Sequence, residues 1–120
     1  MKKVVIAGGR DFDNFEAMQK ILDLIKWESD DVIVSGTARG ADTLGEKYAN
    51  LKGINVIRFP AQWSMYGRSA GFKRNEEMAK FCTHGIVFWD GKSKGSEHMI
   101  NLLKKYNRTY KIIRYTKEDK

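Results

Sequence analysis

Apolar residues along this chain fall into five short runs, separated by longer stretches in which they recur every three or four positions. The runs cover residues 3–7, 31–35, 54–59, 85–89 and 109–115, and all are rich in Val, Ile or aromatic side chains. Such runs predict β-strands. They are apolar almost throughout, the pattern of parallel strands covered on both faces. The stretches between them predict helices. Phe15, Met18, Leu22 and Ile25 share one helical face, and Asp13 with Glu16 has the spacing of a capping box at its start. Ala41, Leu44, Tyr48 and Leu51 predict a second helix that ends near Gly53. A third is expected around Gly71–Cys82, and Met99, Ile100, Leu103 and Tyr106 share a face of the fourth.

The predicted order is therefore β-α-β-α-β-α-β-α-β. Right-handed crossovers turn that order into an α/β architecture: an open, doubly wound sheet of about five parallel strands with helices on both faces. Pro60, the only proline, ends the third strand. Residues 61–70 form a loop that is long for this kind of connection, with Trp63, Tyr66, Gly67 and Arg68 in it. Residues 116–120 are expected to fray. No linker or repeat divides the 120 residues, so one domain, 1–120, is expected.

Composition narrows the class of partner. The net charge is +7, which favours nucleotides, nucleic acid or acidic surfaces but equally describes a soluble basic surface. Cys82 is the only cysteine, so no intramolecular disulfide can form, and a reducing compartment fits. The apolar run at residues 4–7 is too short for a signal peptide, and no run approaches a membrane span. A cytoplasmic protein without a membrane partner is the expectation.

In a doubly wound sheet, ligands bind outside the carboxyl ends of the strands. The residues there are Gly8, Gly9, Arg10, Asp11 and Phe12 after the first strand, and Ser35, Gly36, Arg39, Gly40 and Asp42 after the second. Trp63 follows the third strand, and Asp90, Gly91, Ser93, Gly95 and Ser96 follow the fourth. Glycines let the backbone approach an anion and present N–H groups to it. Ser35 and Ser96 add hydroxyls, and Arg10, Arg39 and Arg74 add forks suited to phosphate. Asp11, Asp42 and Asp90 can accept from ribose hydroxyls. Local alternatives stand beside these roles. Gly8-Gly9 also reads as a tight turn, Asp42 as a complement to a helix dipole, and Arg39 as a surface partner of Asp42 or Glu46. Trp63 and Tyr66 read as stacking faces for a base, or as cover for the sheet edge or a dimer contact. Trp89 and Trp27 read as packing. Neither G-x-G-x-x-G nor the P-loop pattern is present, and His84, His98 and Cys82 lack a metal-ligand spacing, so no metal site is expected.

These loops, together with Phe59-Pro60-Ala61-Gln62-Trp63, Gly71, Arg74-Asn75 and Met78, resemble the YspA/cpYpsA-related branch of the SLOG superfamily. That superfamily unites SMF/DprA-like and LOG-like Rossmann-like domains, and the likeness runs from Val4 to about Ile113. The resemblance implies a Rossmann-like fold and a nucleotide or nucleotide-derived anionic ligand, sensed or sequestered. It implies no cofactor beyond such a ligand. LOG-type relatives imply an alternative, an N-glycosidic hydrolase of nucleoside monophosphates. Arg74 resembles their helical Arg, and Gly91–Ser96 resembles their Gly-Gly-x-Gly-Thr-x-x-Glu stretch with an altered glycine pattern. Aligning Ser96 with that Thr leaves Arg74 and Glu97 as the catalytic candidates. DprA-like relatives carry Ser-Gly-x-Ala-Arg-Gly-x-Asp, matched by Ser35–Asp42, and imply single-stranded DNA as another alternative partner. A dimer or higher homo-oligomer is consistent with the sequence.

Overall fold

A computed structural model describes residues 1–116; the expected fraying of 117–120 lies outside the described residues. Five strands form one parallel sheet in the order β3-β2-β1-β4-β5: β1 (Lys3–Gly8), β2 (Val32–Ser35), β3 (Asn55–Arg58), β4 (His84–Trp89) and β5 (Thr109–Arg114). Five main helical segments connect them: α1 (Phe15–Leu22), α2 (Ala41–Lys52), α3 (Trp63–Tyr66), α4 (Ala70–Phe81) and α5 (Lys94–Lys105). The architecture is the Rossmann-like α/β fold expected from the apolar runs.

Side chains alternate across each strand, and the two core clusters divide accordingly. Val4, Ile6, Ile33, Ile86 and Phe88 face α1 and α2, where they meet Met18, Leu22, Tyr48 and Ala49. Val5, Ala7, Val34 and Val87 face α4 and α5, where they meet Met78, Ala79, Met99 and Leu103. Each fully buried aliphatic side chain contributes about 1.5–3 kcal/mol of transfer free energy. Helices on both faces explain why the strands read as continuous apolar runs.

Several local expectations are corrected. Asn14, not Asp13, caps α1, its Oδ1 accepting from Ala17 N at 3.0 Å. α1 stops at Leu22, and Ile25 reaches the core from the turn beyond. Leu51 is exposed, because Gly45, Tyr48 and Ala49 turn the buried face of α2 away from it. The loop at 61–70 holds α3 and a 3₁₀ turn (Gly67–Ser69) that runs into α4. Gly67, at φ +55°, ends α3 after four residues.

The sheet order fixes where a ligand can sit. β1 leads into α1 on one face, and its neighbour β4 leads into α5 on the other. The two connections diverge and leave a crevice at the carboxyl ends of β1 and β4.

Candidate functional site

The loop after β1 is held from below. Gly9 N donates to Phe88 O at 3.0 Å. Gly9 O in turn accepts from both Phe12 N and Ala41 N, each at 3.2 Å, so one carbonyl ties this loop to the start of α2. Phe12 turns into the core, stacked on Phe88 at 4.7 Å between ring centres and edge-on to Tyr115 at 4.9 Å. It anchors the loop from the core, while Gly8, Gly9, Arg10 and Asp11 line the crevice. Asp11 accepts from the Tyr115 hydroxyl at 2.7 Å; burial, with this bond to a carboxylate, pushes the Tyr115 phenol well up.

The loop after β2 winds tightly. Ser35 is buried and donates its hydroxyl to Glu46 Oε2 at 2.6 Å while accepting from Thr37 N at 3.1 Å. Ser35 therefore shapes the turn, and Glu46 is held in place by Arg58 Nε at 2.8 Å. Among the described residues no ion pair joins Arg39 to Asp42 or Glu46. Gly40 caps α2 at φ +80°, ψ −126°, a region essentially reserved for glycine. Asp42 Oδ2 accepts from Ala38 N at 3.2 Å.

After β4, Asp90 Oδ1 accepts from Lys92 N and Ser93 N, both at 2.8 Å, and these bonds hold its carboxyl below the usual range. Ser93 caps α5. Gly91 backs onto the Arg114 side chain from β5 and is not among the residues that line the crevice. Ser96, in the first turn of α5, is buried and lines the crevice, and its hydroxyl has no hydrogen-bond partner. It is a buried polar atom left unsatisfied by the protein, beside the positive end of a 12-residue helix.

Arg74 closes the site from α4. Its Nη1 donates to Gly36 O and its Nε donates to Asn75 Oδ1 at 3.0 Å. Asn75 Nδ2 lies 3.4 Å from His98 Nδ1 on α5, and Phe72 meets the His98 ring edge-on at 4.6 Å. Gly36 leaves the space that Arg74 and Asp42 share: a Cβ there would stand 2.8 Å from Asp42 Oδ2 and 2.9 Å from Arg74 Nη1. Burial pulls Arg74 below its ordinary value, and Asp42 opposes that shift. Burial pushes Asp42 up to about 6, opposed by the Ala38 N–H and by Arg74 and Arg10, and reinforced by Glu46.

The sign of that shift makes a prediction. Folded Asp42 holds its proton more tightly than the unfolded chain does. Its favourable contribution is therefore complete below about pH 4 and lost as pH rises to about 6. Relative to wild type, Asp42→Asn is expected to gain on the order of 3 kcal/mol between those limits. Urea denaturation at several pH values measures the difference, and a difference that stays constant with pH would refute the burial argument.

The crevice is a cleft of about 450 Å³ between these loops, with Met78 and Met99 as apolar floor. Two smaller hollows adjoin it. One, of about 380 Å³, lies over Gly36, Arg39 and Trp63; the other, of about 200 Å³, lies between Trp63, Arg68 and Phe72. Arg10 and Arg74 line all three. The structure thus brings together Gly8, Gly9, Arg10, Asp11, Asp42, Arg74, Asn75, Asp90, Ser93, Gly95 and Ser96 around the main cleft. Gly36, Arg39 and Trp63 belong to the adjoining hollow. Phe12, Ser35, Gly40 and Gly91 support the loops from behind. Glu97 is exposed and lies outside the residues lining the cleft. Sequence reasoning passed over Phe72; it named Met78 only among the residues of the family resemblance and Met99 only on the apolar face of the fourth helix, not as a cleft floor. Both methionines also belong to the core cluster beneath α4 and α5, so nothing local in the chain marks them as cleft residues.

Among the described residues, no helix is long and apolar enough to cross a membrane, and no group of three or more His, Cys, Asp or Glu could hold a metal ion. The fold resembles the X-ray structure of DNA processing protein A (DprA) from Streptococcus pneumoniae, with a TM-score of 0.75 and 20% identity. The likeness covers 96% of this chain but 50% of that protein, so this chain spans half its length. The Gene 61 protein of Mycobacterium phage D29 is 32% identical over 109 residues, which cover 82% of this chain and 85% of that protein. The profile of the YAcAr family matches residues 2–66, which include the β1 and β2 loops and Trp63 but not Arg74 or Ser96. The chain belongs to this family, the YspA, cpYpsA-related SLOG family.

Proposed function

We propose that the cleft binds a nucleotide or nucleotide-derived anion, and that the protein senses or sequesters it. The observation that carries this reading is the unpartnered, buried hydroxyl of Ser96, a residue that lines the cleft from the first turn of α5. A phosphate oxygen beside it would accept from that hydroxyl and from the free N–H groups of the helix start. Arg74 and Arg10 would balance its charge. Asp42, which lines the cleft and already accepts from Ala38 N, would accept a ribose hydroxyl.

Binding is favoured over N-glycosidic hydrolysis because Glu97 stands outside the cleft. Incubation with nucleoside monophosphates is expected to leave them intact by chromatography. A thermal-shift series across nucleotides, cyclic dinucleotides, NAD and ADP-ribose tests binding. A ligand at 100 times its Kd stabilises by about 2.7 kcal/mol; no shift with any of them refutes the proposal. Ser96→Ala provides a sharper check. It is expected to weaken binding by about 0.5–1.5 kcal/mol, the net worth of one hydrogen bond. The unliganded protein should be equally or more stable, since a buried unsatisfied hydroxyl is removed. Loss of stability without loss of affinity would remove Ser96 from the site.

A second reading, single-stranded nucleic-acid binding, draws on a different observation. Trp63, Tyr66 and Phe72 are exposed, and Arg68 lies beside Trp63 and Phe72. Stacking faces beside cations suit a single strand. That reading requires affinity that falls steeply with salt, and fluorescence anisotropy of a labelled oligonucleotide checks it.

A further inference from the structure

We infer that His98 is a positioning residue for Arg74: its unprotonated Nδ1, acting through the Asn75 amide, holds the guanidinium in the orientation that meets the phosphate, and protonation of His98 releases that hold. The inference rests on the binding reading above and concerns what regulates the same site.

Three side chains from two helices form one line of hydrogen bonds. Arg74 Nε stands 3.0 Å from Asn75 Oδ1 on α4, and Asn75 Nδ2 stands 3.4 Å from His98 Nδ1 on α5. The direction of each bond follows from what each group can do. A guanidinium nitrogen only donates, so the Asn75 atom that faces Arg74 is its carbonyl oxygen. That turns the amide nitrogen towards His98. An amide nitrogen also only donates, so His98 Nδ1 must accept, and the neutral ring carries its proton on Nε2. Turning the Asn75 amide over would set its NH2 against the Arg74 N–H. Only one protonation state of His98 therefore satisfies the whole line.

Protonated His98 breaks it, because both ring nitrogens then donate. Either the Asn75 amide turns to accept from His98, and Arg74 Nε loses its acceptor, or it stays and is pushed away from His98. In both cases Gly36 O is the one firm anchor left to Arg74. Asn75 lines the cleft beside Arg74, so this happens at the ligand.

The groups around His98 favour the accepting form at neutral pH. From α4, Phe72 meets the ring edge-on at 4.6 Å, Glu76 favours the protonated ring, and Arg74 is the cation across Asn75. The Glu76 carboxylate is itself engaged by the Tyr106 hydroxyl at 2.8 Å and by Lys105 at 3.8 Å, with Lys80 also acting on it. On α5 itself, Glu97 adjoins His98 and Lys94 precedes it by one turn. Burial outweighs Glu76 and pulls the His98 ring below its ordinary value. Affinity for the anion should fall as acid passes that midpoint.

Titration calorimetry with adenosine monophosphate tests this on wild type, His98→Ala and His98→Asn. The asparagine oxygen can stand where Nδ1 stands but takes no proton. At about pH 7.5, His98→Ala is expected to bind about two- to tenfold more weakly, the worth of one hydrogen bond, and His98→Asn to stay within about twofold of wild type. The wild-type midpoint is read from the His98 ring-proton resonances. About one pH unit below it, the ratio of wild-type to His98→Asn affinity should drop by about two- to tenfold. Titration of the phosphate and of Asp42 is common to both proteins and cancels in that ratio. In an Arg74→Ala background, His98→Ala should have no further effect. A ratio independent of pH, a His98→Asn variant as weak as His98→Ala, or an undiminished His98→Ala effect without Arg74 each overturns the inference. Nitrogen spectra that place the neutral ring's proton on Nδ1 overturn it too. Wild-type affinity in His98→Ala overturns it while leaving the binding reading standing; absence of binding by wild type overturns both.

Discussion

Arg74→Ala is expected to lower affinity for a nucleoside monophosphate such as adenosine monophosphate by about 10- to 100-fold. The contact proposed for Arg74 is a charge-assisted hydrogen bond to phosphate, which would be worth about 1.5–3 kcal/mol. The substitution also releases Gly36 O from its donor, and Gly36 heads the loop that places Asp42 and Ala38. Position and charge are thus lost together. Arg74→Lys separates them: an ammonium keeps the charge but cannot span Gly36 O and Asn75 Oδ1 as the planar fork does. Its affinity should lie between wild type and Ala. Calorimetric titration reads all three, and wild-type affinity in a folded Ala variant would place the ligand elsewhere.

The largest stability effect is expected at Gly40. Its φ of +80° with ψ of −126° is strained for any other residue, and a Cβ would strike the carbonyl of Gly9 and the backbone of Arg10. Strain there costs about 1–3 kcal/mol, and forcing the two loops apart costs about 1–3 kcal/mol more. Gly40→Ala should therefore lower Tm by roughly 10 °C or more. Gly53 is the matched control: it also has positive φ, +71°, but nothing lies within 4 Å of its Cβ position. Gly53→Ala should cost only about 1 kcal/mol. Thermal denaturation of both variants checks the contrast, and equal losses would mean that loop contact adds nothing to strain.

The architecture was legible because it depends on periodicity. Five apolar runs, three of them (β1, β2 and β4) buried on two faces, stand out from amphipathic stretches between them, and the crossover rule then leaves few sheet orders. The ends of those runs also located the cleft. What the sequence could not supply was side-chain direction within each loop. Ser35 and Ser96 look alike in the chain, yet Ser35 is bonded to Glu46 and Ser96 has no partner. Phe12 beside Arg10 and Asp11 reads as part of the same surface, but Phe88 and Tyr115, distant in sequence, draw it inward. Gly91 likewise owes its place to Arg114 on β5. The cap of α1 escaped for a local reason. Asp11, Asp13 and Asn14 are all capable caps, and only the backbone angles choose among them. The helical turns at 63–69 were hidden because an α3 of four residues has no period to detect.

The carbonyl of Gly9 accepts from Phe12 N and from Ala41 N. Two loops that would otherwise fluctuate separately share one fixed point. The receptor surface is thereby formed before any ligand arrives, and little conformational freedom remains to be lost on complex formation. A ligand of the kind proposed would meet a preformed surface, with backbone shifts of less than about 1 Å expected between free and bound forms. The shared acceptor also couples the two loops mechanically: a displacement of the β1 turn is carried through the Gly9 carbonyl to the start of α2.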